Sequence, residues 1–292
     1  MLQHRQTALA SLWRAFFFPT LCVTTAFSAA PPARPPDLAQ VGLPDAAEVR
    51  EILQQFRRAD VVGDYYLEFE LHALPRRGEE TVSRGRLWGA RNATGPIVRV
   101  ELVDAAGALR RLLVQNGERA AVWRFANGRI EQLGTAALFE PVIPGSELTA
   151  FDIQRPYLYW PDATLEKLVR VGGRPAHAFV FRAPSGFVAQ HPEVAAVRAY
   201  LDTQFNALVQ AELLDAKSKA VKTMSLRALK KVGEQWIPKA IDWRNEQTGD
   251  KARFVVTGAA LNLEFGPALF EPAKLTEAIP PPAPDRMVRV EP

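Results

Sequence analysis

Few side chains in this sequence are placed to do covalent chemistry. Of the four histidines, His4, His72, His177 and His191, none has a second ligand at a metal spacing such as H-x-x-x-H, so no metal site is expected. There is no G-x-S-x-G nucleophile elbow, no phosphate-binding loop and no dinucleotide fingerprint. Gly172-Gly173 lies between two strand-like runs instead of ahead of a helix. The paired carboxylates Glu68/Glu70 and Glu79/Glu80 invite a glycosidase reading, but that chemistry needs two acids across a cleft. Glu68 and Glu70 share a strand face with polar neighbours, which fits solvated surface. No catalytic residues and no cofactor are expected.

The basic residues are more numerous. Lys217, Lys219, Lys222, Arg227, Lys230 and Lys231 crowd one stretch without interleaved aromatics, so a nucleic-acid stacking platform is not indicated. A solvated outer face, or lysine protection of an exposed strand edge, suits them, with docking of a partner or of anionic headgroups as an alternative. The net charge is only +4, and Arg5 and Arg14 supply two of those charges. In "VSRGRLWGARN" (82–92), Arg84, Arg86 and Trp88 point one way, Gly85 and Leu87 the other, and Arg91 stands at the strand's end.

These residues must be positioned by elements that the pattern makes visible. Residues 1–30 carry Arg5 and Arg14, no acid, an apolar centre from Ala15 to Val23 and small residues near Ser28, which is the pattern of a secretory signal peptide. The pattern predicts export. Cys22, the only cysteine, lies inside this segment behind Leu21, where a lipid-modification motif wants a small residue; cleavage leaves no thiol. A proline-rich leader (31–44) precedes an amphipathic helix over 45–60, with Asp45 as N-cap and Val49, Ile52, Leu53 and Phe56 at helical spacing. From Tyr65 the period changes to two. Strands are expected at 65–74, 81–90, 97–103, 109–115, 120–126, 165–171, 176–183, 196–202, 207–215, 220–232, 235–245 and 251–265. Asn116-Gly117, Asn127-Gly128 and Gly172-Gly173 supply the positive φ angles of tight hairpins, so neighbouring strands are antiparallel.

The stretch 134–162 interrupts this meander, with short helical turns expected at 135–139 and 149–155 and a capping-box spacing at Thr149 and Asp152. Long insertions of this kind are often functional lids. Residues 277–292 read as a proline-rich disordered tail, which leaves 45–276 as a single α+β domain: a large curled antiparallel sheet of about ten strands with few helices. The body of the chain has no apolar run long enough to span a bilayer. The apolar face formed by Leu67, Phe69, Leu71, Leu87, Val100, Leu102, Trp123 and Phe125 either packs solidly under the helices or lines a ligand cavity; the pattern is the same for both.

The order of parts resembles the outer membrane lipoprotein-sorting protein family around the periplasmic lipoprotein carrier. The likeness begins with the helix and strand of 45–74 and continues through "GRLWGAR" (85–91), similar to that family's G-x-L-W-x-x-R. "LLVQNGERAAVWRF" (112–125) and "GSELTAFDI" (145–153) follow in order, and 230–275 resembles the family's ending. The resemblance implies a half-open barrel closed by a helical lid over an apolar cavity that shelters lipoprotein acyl chains or another lipid, with no catalysis. It also implies that Arg91 latches the lid through backbone carbonyls, although Asn92 stands where the carrier has proline. An alternative on the same fold is a periplasmic sensor or interaction module that binds an envelope protein and transfers nothing.

Overall fold

A computed structural model describes residues 43–58, 61–117, 119–205 and 207–290. The expected signal peptide and nearly all of the leader lie outside the described residues. The first described element is helix α1 (Ala46–Arg58). Asp45 caps it as expected: its Oδ1 accepts from the N–H groups of Ala47 (2.7 Å) and Glu48 (2.9 Å), and Glu48 Oε2 accepts from Asp45 N in return. Leu53 and Phe56 are buried, so the helix lays its apolar stripe on the sheet.

Six strands follow: β1 (Asp64–Leu74), β2 (Thr81–Asn92), β3 (Gly95–Val103), β4 (Leu109–Gln115), β5 (Ala121–Ala126) and β6 (Arg129–Gln132). After a largely non-strand segment containing α2 (Ala150–Gln154), the chain resumes with β7 (Ala163–Val171), β8 (Arg174–Arg182), α3 (Ser185–Val188), β9 (Ala196–Asp202), β10 (Leu208–Leu214), β11 (Ala220–Val232), β12 (Gln235–Asn245), β13 (Lys251–Leu263) and β14 (Val288–Arg289). All belong to one antiparallel sheet of 14 strands in the order β6-β5-β4-β3-β2-β1-β13-β12-β11-β10-β9-β8-β7, with β14 added to β13. The sheet is not closed, since β6 and β7 end the path.

Along that path every pairing but one joins chain neighbours. The exception, β1 with β13 (Asp64 opposite Leu263 to Leu74 opposite Lys251), welds the two meanders together. The turns that were read as hairpins behave accordingly at Asn127-Gly128 (φ 52° and 75°) and Gly172-Gly173 (φ 55° and 83°). Asn116-Gly117 differs. It opens a longer loop before β5 and is pinned to the β2–β3 turn, with Asn116 N donating to Pro96 O at 2.8 Å.

Three further readings need correcting. The sheet has fourteen strands instead of about ten: all twelve expected segments join it, and β6 and β14, too short to show an alternation, add two more. The lysine-rich stretch is not an edge: β11 lies between β10 and β12, and Lys222 is buried. The tail is not loose through its described part. β12 pairs with β13 only over Ala240–Arg244, which leaves the later backbone of β13 without that neighbour. Val288 and Arg289 pair with Ala259 and Gly258 instead, and Val290 N donates to Thr257 O at 3.0 Å. A strand edge with unmet N–H and C=O groups recruits a partner, and the tail's alternating valines provide it.

The sheet has two apolar faces. The inner one carries the main core, in which Phe69, Val100, Leu102, Leu112, Phe179, Phe181 and Leu213 meet α1 and the 134–160 segment. On the outer face, residues 265–287 form a strap over Tyr66 and Trp88, and over Ile97 and Leu113. Two arginines hold it. Arg99, fully buried, donates through Nη1 to the carbonyls of Leu269 (3.4 Å) and Lys274 (2.9 Å) and through Nη2 to that of Glu277. Arg111 donates to Leu275 O (3.2 Å) and Thr276 O (3.0 Å) and pairs with Glu101 at 2.7 Å. Carbonyls at the ends of short helical turns lack internal partners, and a guanidinium offers several donors to meet them. Burial, and then the neighbouring Arg111, pulls Arg99 below the ordinary arginine range.

Candidate apolar ligand site

The site is built by the inner face and its cover. The cover has a filled half and an open half. In the filled half the 3-10 turn Thr135–Phe139, α2, the 3-10 turn Pro156–Tyr159 and α3 pack aromatic rings against one another. Phe139 stacks on Phe151 at 4.5 Å, and Trp160 meets Phe187 at 5.0 Å. His191 is buried beside Phe139 (4.4 Å) and Phe187 (5.3 Å), its ring nitrogens against Glu193 (2.9 Å) and the carbonyl of Thr135 (3.0 Å), so it staples this cover.

Beyond the rings lies a cavity of about 790 Å³. That volume is within the range of about 300–1,000 Å³ typical of small-molecule sites. Its floor is Leu67, Phe69, Leu87, Val100 and Leu102 from β1–β3 together with Ala211, Leu213, Met224, Leu226, Ile241, Trp243 and Phe254 from the other meander. Phe56 of α1 and Leu148, Ile153 and Leu158 of the cover contribute the roof. At one end of the sheet Phe205, Leu229 and Trp236 border the cavity while remaining exposed, which gives it an apolar mouth.

The glycines of "GRLWGARN" explain how aromatic rings fit this floor. Gly85 faces Phe69 and Gly89 faces Tyr65 across the β1–β2 pair. A Cβ on Gly85 would lie 2.2 Å from Phe69 Cζ, and one on Gly89 would lie 2.1 Å from Tyr65 Cζ. Both rings therefore lie flat over a missing side chain. Trp88, in the other phase, is fully buried on the outer face, edge-on to Tyr66 at 5.3 Å beneath the strap.

Of the eight apolar residues read from the sequence, five line the cavity: Leu67, Phe69, Leu87, Val100 and Leu102. Leu71 belongs to the solid core beside it. Trp123 and Phe125 do not belong to this face. Val122 pairs with Val114 on the inner side, so Trp123, opposite Leu113, and Phe125, opposite Arg111, face outward under the strap. Both phases of β5 are apolar because both faces of the sheet are covered, and alternation alone could not choose between them. The same alternation would have found Met224 and Leu226 on β11 and Ile241 and Trp243 on β12.

Polar contacts tie the cover down. Arg91 Nη2 donates to the carbonyls of Arg57 (3.3 Å) and Arg58 (3.4 Å), the C-terminal carbonyls of α1, so its carbonyl partners are on that helix. Arg57 Nε in turn donates to Leu158 O at 2.7 Å, which joins α1 to the turn after α2. The strongest tie is one the sequence reading missed. Asp152 and Thr149 form the expected capping box, and the same Asp152 carboxylate pairs with Lys222 Nζ, which reaches up from β11. Both partners are buried. Lysine in an inward phase between apolar residues (Lys222, Met224, Leu226) is a visible hint of an inner partner, but its mate lies 70 residues away in sequence.

The acids considered for catalysis are elsewhere. Glu68 accepts from the Tyr66 hydroxyl at 3.2 Å, and Glu70 and Glu80 flank His72, all on the outer face of β1–β2 in a groove shared with Arg84, Arg86, Arg253 and Arg289. Among the described residues no group of three or more histidines, cysteines or acids could hold a metal ion, and no helix is long and apolar enough to cross a membrane.

Comparisons with known proteins agree with this architecture. A family model described as "-like: Uncharacterized protein" matches residues 143–277. No curated protein matches. Among solved structures, the chain is similar to a domain from Vibrio parahaemolyticus designated an outer membrane lipoprotein-sorting protein domain, with 15% identity and a TM-score of 0.67 over 78% of this chain and 97% of that one. A DUF1329 family protein from Desulfovibrio piger gives 13% identity and a TM-score of 0.66 over 78% and 98%. A LolA superfamily protein from Nitrosomonas europaea gives 12% and 0.59 over 76% and 96%. At these identities the likeness is one of fold, and at that level the resemblance read from the sequence holds.

Proposed function

We propose that this protein is a periplasmic, non-enzymatic carrier that shelters the acyl chains of a lipoprotein or another lipid-like ligand during envelope sorting. The observation that carries this reading is the cavity of about 790 Å³ with an apolar floor, an apolar mouth and a cover tied down by polar contacts. Burying a chain stabilises the complex by about 0.8 kcal/mol per methylene, so a chain of lipid length binds tightly without any polar recognition. Release then requires the cover to move, and hydrogen bonds contributing about 1 kcal/mol each suit a reversible closure. Export through residues 1–30 would deliver the chain to the compartment where such ligands travel.

Solvent extraction of the purified protein followed by mass spectrometry tests the proposal. Acyl lipid or acylated peptide in amounts comparable to protein is the expected result. Lipid-free protein that also fails to bind a neutral apolar fluorophore would overturn it. Recovery of an envelope protein without lipid would favour the sensor alternative.

A further inference from the structure

The charges around the cavity are uneven, and they specify the ligand further. Its lining contains three arginines, Arg57, Arg155 and Arg174, and one acid, Asp152. Asp152 is committed to Thr149 and Lys222. Arg174 is committed to Asp202, with Nε at 2.6 Å and Nη2 at 3.1 Å from its two oxygens. Arg57 uses Nε on the Leu158 carbonyl and lies 5.6 Å from the Tyr159 ring, and it has no acidic partner among the described residues. The Arg155 side chain has no hydrogen bond or ion pair among the described residues.

Arg155 also holds an unusual backbone. It caps the end of α2 at φ 52°, ψ 52°, the left-handed region that normally favours glycine or asparagine. Such a conformation costs a side-chain-bearing residue free energy, and outliers of this kind gather at ligand sites. The turn itself needs no guanidinium, because Arg155 N bonds to Phe151 O and Arg155 O accepts from Leu158 N. Arg57 grips the same turn through the carbonyl of Leu158, so two uncountered cations, one from α1 and one from the cover, converge on Arg155–Leu158. Arg155 is exposed at the rim of the cavity and Arg57 is half-buried, so an oxyanion bound there can accept charge-assisted hydrogen bonds from both without displacing a protein carboxylate.

Resting on the carrier reading above, we infer that the cavity takes an anionic amphiphile, whose carboxylate or phosphate head is read by Arg155 and Arg57 while its chain lies over the inner face of the sheet. The guanidinium's planar donors match either oxyanion.

Displacement of neutral N-phenyl-1-naphthylamine by four amphiphiles with the same twelve-carbon chain tests this. Dodecanoate and dodecyl phosphate carry the two candidate heads; dodecanol and dodecyltrimethylammonium are the neutral and cationic controls. The anionic pair should compete at about tenfold lower concentration than the controls, as one charge-assisted contact would give, and the stronger of the two identifies the head. Arg155→Gln should shrink that preference to about threefold or less while leaving displacement by dodecanol unchanged. Equal competition by all four amphiphiles, or an undiminished preference in Arg155→Gln, overturns the inference and leaves the carrier reading intact. Absence of any probe binding would instead remove the carrier reading, and this inference with it.

Discussion

Arg91 and Gly85 show how much one residue can decide here. Arg91 donates to two carbonyls at the end of α1, and both bonds are long and on an exposed side chain. Each is worth about 0.5–1.5 kcal/mol at most. Replacing Arg91 by leucine should therefore speed release of a fluorescent fatty-acid analogue several-fold, with under about 1 kcal/mol lost from urea stability. A stopped-flow trace indistinguishable from the parent protein would remove Arg91 from the closure. Gly85 acts by absence. Adding a methyl group there drives the Phe69 ring, which packs 4.5 Å from Phe254, off its place and into the cavity. Gly85→Ala should cost about 1–3 kcal/mol, as overpacking does, and should weaken binding of a long chain more than that of a short one. Equal affinity for both lengths would mean that the ring has room to turn elsewhere. The position of Arg91 and the gap at Gly85 were legible in "GRLWGARN". That Trp88 is buried beneath a strap was not, because the covering residues lie about 180 positions further on.

The decisive element is the cover. Its capping box was legible from Thr149 and Asp152, and so were its short helical turns. Its anchorage was not, since Lys222 sits on a strand whose other lysines are solvated. Removing one member of a buried ion pair strands the other, at a cost of about 3–5 kcal/mol. Lys222→Met should approach that loss in urea unfolding and should raise hydrogen exchange most in 148–155; a loss below about 1 kcal/mol would mean that the pair does not hold α2. Glu147, just before α2, adds a pH dependence. Burial pushes its carboxyl above the usual value, with Asp250 and Asp152 acting in the same direction, while the Lys222 charge and a hydrogen bond from Asn245 oppose the shift. The folded cover therefore holds this proton more tightly than the unfolded chain. The stabilisation is complete below a pH of about 4.5 and is lost as pH rises through the folded value. In Glu147→Gln, the decline of cover protection across that interval should flatten; an identical pH profile in the two proteins would exclude Glu147 as its source.

At the scale of the molecule, the alternation of apolar residues and the glycine turns made most of the antiparallel sheet readable. The closure between β1 and β13 and the outer strap were not, because each depends on pairing distant segments. Trp123 and Phe125 were misplaced for the same reason, as a sheet covered on both sides loses the contrast between its faces. Both covers follow one physical scheme: short helical turns leave carbonyls unmet, and arginines from the sheet or from α1 meet them. The outer strap is held by the buried Arg99 and Arg111, whereas the inner cover rests partly on the exposed Arg91 and encloses open volume. On the proposed carrier reading, the enclosed volume makes the inner cover the one that opens to admit a chain, against the Lys222–Asp152 pair and the Arg91 contacts.

Met224 lines the cavity, and Met287 packs against the outer cluster around Trp88. With methionine methyl groups labelled with carbon-13, nuclear Overhauser contacts to bound dodecanoate report directly on which face holds the chain. Contacts from the chain methylenes to the Met224 methyl and none to Met287 are expected. Contacts to Met287, or none to Met224 at saturating dodecanoate, would contradict the assignment of this cavity as the ligand site.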